Sequence, residues 1–128
     1  MAPASRFARG AWAEQHVQRL LESRGWRLLA RNWRCRWGEL DLVMHKPGRL
    51  LLVEVKGRAA GGRDGAGRAA LQAGKRRRLQ RAWGCWLAAN PGWGCHSVEL
   101  VAALVALPPA RRPVRWLRLE VPGGGRAG

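Results

Sequence analysis

Gly38-Glu39-Leu40-Asp41-Leu42-Val43-Met44, a Pro47-Gly48 break, then Leu50-Leu51-Leu52-Val53-Glu54-Val55-Lys56: the fold turns on this stretch. Two apolar runs of strand length flank a turn signal, so it reads as paired β-strands over 39–44 and 50–56. The run from Leu50 to Val53 does not alternate, which suits a central strand covered on both faces. With the turn centred between Pro47 and Gly48, opposed residues sum to 95. Asp41 then lies opposite Glu54, and Glu39 opposite Lys56. Residues two apart on a strand share a face, and directly opposed Cβ atoms lie about 4.5–5.5 Å apart. Asp41 and Glu54 could therefore grip one cation between them.

Working outward, residues 1–9 read as a basic N-terminal tail. A helix is expected over Gly10–Arg24, with Ala13, Val17, Leu20 and Leu21 on one face and Gly25 as its stop. Trp26–Trp33 reads as a first strand, joined to the second by a basic connection, Arg34–Trp37. After Lys56, Gly57–Gly67 is a glycine-dense loop. A second helix is expected over Arg68–Ala89, with a buried stripe of Leu79, Ala82, Trp83, Trp86 and Leu87. Ser97–Leu107 is a fourth strand, Pro108–Pro113 a rigid linker and Val114–Val121 an edge strand. The Gly-rich tail, 122–128, is expected to be disordered. The order α-β-β-β-α-β-(β) makes an α/β domain over 10–121, a mixed β-sheet flanked by helices.

Eight acidic residues share this 128-residue chain with 24 basic ones, for a net charge of +16 and a pI near 11.9. Such a chain suits an anionic partner, nucleic acid before an anionic membrane. A preference for Arg accounts for part of the excess, since only Lys46, Lys56 and Lys75 are lysines. That preference makes Lys56 informative: a compact ammonium approaches a water as a point charge, where a guanidinium carries a broad fork. Cys35, Cys85 and Cys95 are an odd number without regular spacing, which argues against a disulfide framework. With no apolar leader and no apolar run of membrane length, a cytoplasmic location is expected. Scattered His and Cys without ligand spacing give no zinc site.

Four of the eight acids are Glu14, Glu39, Asp41 and Glu54. Two opposed carboxylates near a central strand repel, and without a cation one of them is pushed toward its protonated form. Mg²⁺ or Mn²⁺ would resolve the repulsion, because a hard cation takes one or two carboxylates together with waters and substrate phosphate. Lys56, facing the same way as Glu54, could orient or help deprotonate a water beside a phosphodiester. The bland alternative is a salt-bridged sheet face, with Glu39 on Lys56 and the other acids on arginines. Glu14 also has a bland role, as a carboxylate near the start of a helix.

Gly10-x-x-x-Glu14, Leu29-Ala30-Arg31-Asn32, Gly38-Glu39-Leu40-Asp41-Leu42-Val43 and Leu52-Val53-Glu54-Val55-Lys56-x-Arg58 together resemble the YraN family of small bacterial proteins. The resemblance runs from about residue 9 to 105. It implies a restriction-endonuclease-like domain, similar in fold to archaeal Holliday-junction resolvases. By the same resemblance, Asp41, Glu54 and Lys56 would be the metal and catalytic residues of a PD-(D/E)xK nuclease. Glu14 matches a glutamate that resolvases carry on the first helix. Lys75 falls where the family often has a basic residue opening the second long helix. Two features depart from the family pattern. The late strand reads Ser97-Val98-Glu99-Leu100-Val101 in place of Arg-Phe-Asp and two apolar residues, and the loop after Lys56 is unusually rich in glycine.

The leading expectation is thus a Mg²⁺- or Mn²⁺-dependent endonuclease acting on nucleic acid, DNA favoured, branched or flapped DNA included. Lys75, Arg76, Arg77, Arg78 and Arg81, with Arg58 from the loop, would hold phosphates; a solvated helix face is their bland reading. Trp33 and Trp37, interleaved with Arg31, Arg34 and Arg36, could stack on exposed bases or simply cover the sheet. The competing function is a non-catalytic nucleic-acid-binding module, which rests on charge alone. A peripheral membrane protein is a third reading, to which the paired carboxylates lend nothing. A homodimer is open to an enzyme that cuts both strands, although no interface can be read.

Overall fold

The computed structural model describes residues 6–58 and 73–119, without the side chains of residues 6–9, 58 and 73–76. The elements are α1 (Arg6–Ser23), β1 (Arg27–Cys35), β2 (Gly38–Lys46), β3 (Arg49–Arg58), α2 (Ala73–Ala89), a 3-10 turn at Pro91–Trp93, β4 (Ser97–Ala106) and β5 (Arg115–Leu119). The five strands form one open sheet in chain order. All neighbours are antiparallel except β3 and β4, which run parallel. A parallel pair needs a crossover, and α2 lies within it. The result is the expected α/β domain with a mixed sheet.

The apolar periods decide the layers. Ala13, Val17 and Leu21 of α1 bury against Leu42, Met44, Leu51 and Val53 on one face of the sheet. Leu79, Ala82 and Trp86 of α2 bury against Leu40, Val43, Leu52 and Leu100 on the other. Trp83 and Leu87, expected in the same stripe, pack at its margin. The unalternating Leu50–Val53 run is buried throughout and lies on the central strand. Gly25 ends α1 at φ +92°, where the Trp26 amide donates back to the Leu21 carbonyl at 3.1 Å. That 6→1 bond closes the helix as a glycine C′ residue allows.

The β2–β3 hairpin has the expected register. Leu42↔Val53, Val43↔Leu52, Met44↔Leu51, His45↔Leu50 and Lys46↔Arg49 all sum to 95. Several boundaries move. Helix α1 starts at Arg6, so residues 6–9 leave the expected tail; Arg and Ala are strong helix formers and carry the helix beyond its apolar stripe. Strand β1 runs on to Cys35, leaving only Arg36 and Trp37 as the turn to β2. The expected loop loses Gly57 and Arg58 to β3. Residues 59–72, the first turn expected for the second helix among them, and the tail 122–128 lie outside the described residues. Among the described residues, no helix is long and apolar enough to cross a membrane.

Candidate active site

The β2–β3 ladder stops at Leu42↔Val53, one rung short of the acidic pair. Strand β2 changes its facing at that point. Leu40 packs in the α2-side core and Leu42 in the α1-side core, although residues two apart on a regular strand share a face. On the other side, the pairs Arg31↔Leu42 and Trp33↔Leu40 bracket Asn32 and Asp41. Asn32 has φ +51°, a left-handed conformation that Asn tolerates better than most residues. Both strands therefore deviate at the same rung. The Val55 amide, released from backbone pairing with β2, donates to Asp41 Oδ2 at 2.8 Å. A carboxylate takes the place that a carbonyl fills in an unbroken ladder.

The deviation borders a cleft of about 690 Å³ lined by Glu14 from α1, Asn32 from β1, Asp41 from β2, Glu54 and Lys56 from β3, and Arg78 from α2. Residues separated by more than sixty positions thus share one concavity. Asp41 and Glu54 are the buried charged side chains among the described residues. Burial raises the Asp41 pKa to about 8, with repulsion from Glu54 as the next cause. The Val55 amide opposes the rise, while the Glu14 charge and a hydrogen bond shared with Glu54 add to it. Burial also raises the Glu14 carboxyl, against an opposing hydrogen bond from the Asn32 side chain and the charge of Arg31. The site is an array of carboxylates that repel in a poorly solvated place, the condition that a hard cation or a proton relieves.

The expected residues do not all land as expected. Glu39 lines the cleft, but its ion pair is with Arg34 of β1, at 3.1 Å. The rung that would set Glu39 opposite Lys56 lies beyond the end of the β2–β3 ladder, whereas the β1–β2 ladder continues through Arg34↔Glu39. Arg77 is exposed and Arg78 reaches the cleft. The Arg81 guanidinium lies 5.2 Å from the Trp37 ring centre. The side chains of Lys75, Arg76 and Arg58 lie outside the described residues, as does any contact they make. Among the described residues, no three His, Cys, Asp or Glu side chains gather as a ready metal cluster. Two carboxylates completed by water and phosphate is the arrangement that Mg²⁺ usually takes.

The reading of the sequence missed Asn32. Its signal was present: an Asn between Arg31 and Trp33 is a poor strand residue and a good left-handed one. Strained positions of this kind gather at functional sites.

Residues 13–108 match the family model described as Uncharacterised protein family UPF0102. A UPF0102 protein of Prochlorococcus marinus (strain MIT 9303) is 53% identical over 112 residues, covering 88% of this chain and 89% of the relative. One from Synechococcus sp. (strain CC9902) is 50% identical over 111 residues, covering 87% and 92%. A more distant one from Pseudomonas putida (strain GB-1) is 40% identical over 119 residues, covering 92% and 96%. The matched span takes in every residue that lines the cleft except Gly10 and Ala11.

Proposed function

The chain belongs to Uncharacterised protein family UPF0102, the YraN family, and on that footing we propose that it is a metal-dependent endonuclease that hydrolyses phosphodiester bonds, in DNA before RNA. One observation carries the reading. Glu14, Asp41, Glu54 and Lys56 converge on one cleft in a chain of net charge +16. A chain that basic has no electrostatic need to bury two carboxylates against each other. The pair is costly alone and useful with a cation.

Asp41 and Glu54 would hold Mg²⁺ or Mn²⁺, with Glu14 at the rim as a further oxygen donor. When bound, such an ion polarises the phosphoryl oxygen and makes a bound water more acidic. The chain's own residues do the rest. Lys56, two residues along β3 from Glu54, brings an ammonium into the cleft to orient the attacking water and offset charge in the transition state. Asn32 fixes the Glu14 carboxylate through its side-chain amide. Arg78, on the α2 wall, meets phosphate oxygens. A reducing cytoplasm suits the free thiols of Cys35, Cys85 and Cys95.

The test is cleavage of a panel of single-stranded, duplex, flapped and four-way-junction DNA in Mg²⁺, Mn²⁺ or EDTA, with Glu54→Gln beside the wild type. Cutting that needs metal and disappears in Glu54→Gln, while DNA binding stays within about twofold, is expected for loss of a group used only in the chemistry. Cutting that survives the substitution overturns the assignment. Salt-sensitive binding without cutting of any substrate would favour a binding module instead.

A further inference from the structure

Trp37 is the large hydrophobic side chain that the fold leaves most exposed among the described residues, at 42%. It belongs to neither core cluster, whereas Trp33, four residues earlier on the same hairpin, packs against the α2-side core. The two tryptophans that looked alike in the sequence therefore have different roles, and covering the sheet accounts for only one of them. Trp37 is also held in place. Its amide donates to Cys35 Sγ at 3.4 Å. The adjoining Gly38 backs onto α2, where an added Cβ would meet the Arg78 carbonyl at 3.6 Å. The two-residue β1–β2 turn is thus braced against α2.

Its neighbours have one chemistry. The Arg36 and Arg81 guanidinium groups lie 4.8 and 5.2 Å from the Trp37 ring centre. Guanidinium is planar and cationic, and it stacks on the faces that a nucleobase also uses. Gly38, next in the chain, lines the acidic cleft, as do Arg34 and Arg78. An exposed indole flanked by two arginines beside the cleft combines two elements of single-strand recognition: a flat apolar face for a base and cations for the flanking phosphates.

We propose that Trp37 is a base-stacking platform, which takes an unpaired base next to the phosphodiester that enters the cleft. The preferred substrate is then DNA with unpaired nucleotides at the cleavage site, such as a flap, a splayed arm or a branch, over continuous duplex. A base that stacks on Trp37 displaces guanidinium from the ring, and the freed Arg36 and Arg81 side chains pair with neighbouring phosphates. This rests on the nuclease reading for the strand in the cleft, but it fails on a different residue.

The experiment is fluorescence anisotropy in EDTA with two labelled DNAs of one sequence, a continuous duplex and a splayed-arm version. Wild type, Trp37→Ala and Trp37→Phe are compared, and their thermal melts confirm that the fold is intact. Trp37→Ala is expected to weaken splayed-arm binding by about 5- to 150-fold, the usual worth of one stacked base. Duplex binding should change little, and Trp37→Phe should keep most of the affinity. A 2-aminopurine at the unpaired position should be quenched by wild type and Trp37→Phe and stay bright with Trp37→Ala. Equal losses on the two DNAs, or quenching unchanged in Trp37→Ala, would overturn the platform. Because that result leaves the Glu54→Gln test untouched, failure of the platform is distinct from failure of the nuclease.

Discussion

At the scale of single residues, Asn32 shapes the site through its backbone and Asp41 through its proton. Asn32 sits in a left-handed conformation within a strand. A side chain with a Cβ but no local polar group is penalised there by about 1–2 kcal/mol. Asn32→Ala should therefore be less stable than Asn32→Gly by about that amount in urea unfolding, although both lose the bond to Glu14; the reverse order would show that the backbone relaxes. Asp41 makes a prediction about pH. Its carboxyl titrates near 8 in the fold against a usual 3.8, so the folded state holds the proton more tightly than the unfolded chain. The resulting stabilisation is complete below about pH 4 and is lost as pH rises through about 8. The raised Glu14 pKa acts in the same direction. Metal-free protein should melt at a lower temperature at pH 8.5 than at pH 5.5 on account of this site, as followed by circular dichroism in EDTA. Asp41→Asn keeps an oxygen for the Val55 amide and should flatten that dependence. An unchanged slope in the variant would place its source elsewhere.

At the scale of elements, the sequence allowed the strands and their partners to be read, because period and turn chemistry are local. The Leu50–Val53 run announced a central strand, and Pro47-Gly48 set a register that holds over all five rungs. Where the ladder ends was not legible. That depends on Asn32 and Asp41 being neighbours across β1 and β2, a pairing that no local pattern expresses. For the same reason the expected rung between Glu39 and Lys56 lies beyond the end of the β2–β3 ladder. The roles of the tryptophans were equally hidden, since burial of α2 against the sheet decides them. That difference can be measured. Trp86 is 3% exposed and stacks on Trp83 with ring centres 5.1 Å apart, so Trp86→Ala should cost about 3–5 kcal/mol of stability. Trp37→Ala, outside either core, should cost less than about 1 kcal/mol. Similar losses would mean that the β1–β2 turn contributes to the core after all.

At the scale of the whole molecule, charge and topology act together. A net charge of +16 favours a polyanion through counterion release, with binding that falls steeply as salt rises. Parallel pairing of β3 with β4 requires a crossover, and the α2 it carries brings Arg78 to the cleft and Arg81 to Trp37. Replacing either arginine with Ala should lower the slope of log affinity against log salt by about one, similarly for all sequences. A change that depended on sequence would point to base readout instead. The bond from Val55 to Asp41 has a further implication for how such chains diverge. This oxygen is a stitch in the fabric of the sheet, so a relative without the proposed activity would still be constrained to keep an acceptor at position 41. In such a relative, position 41 should persist as a relic of the weave.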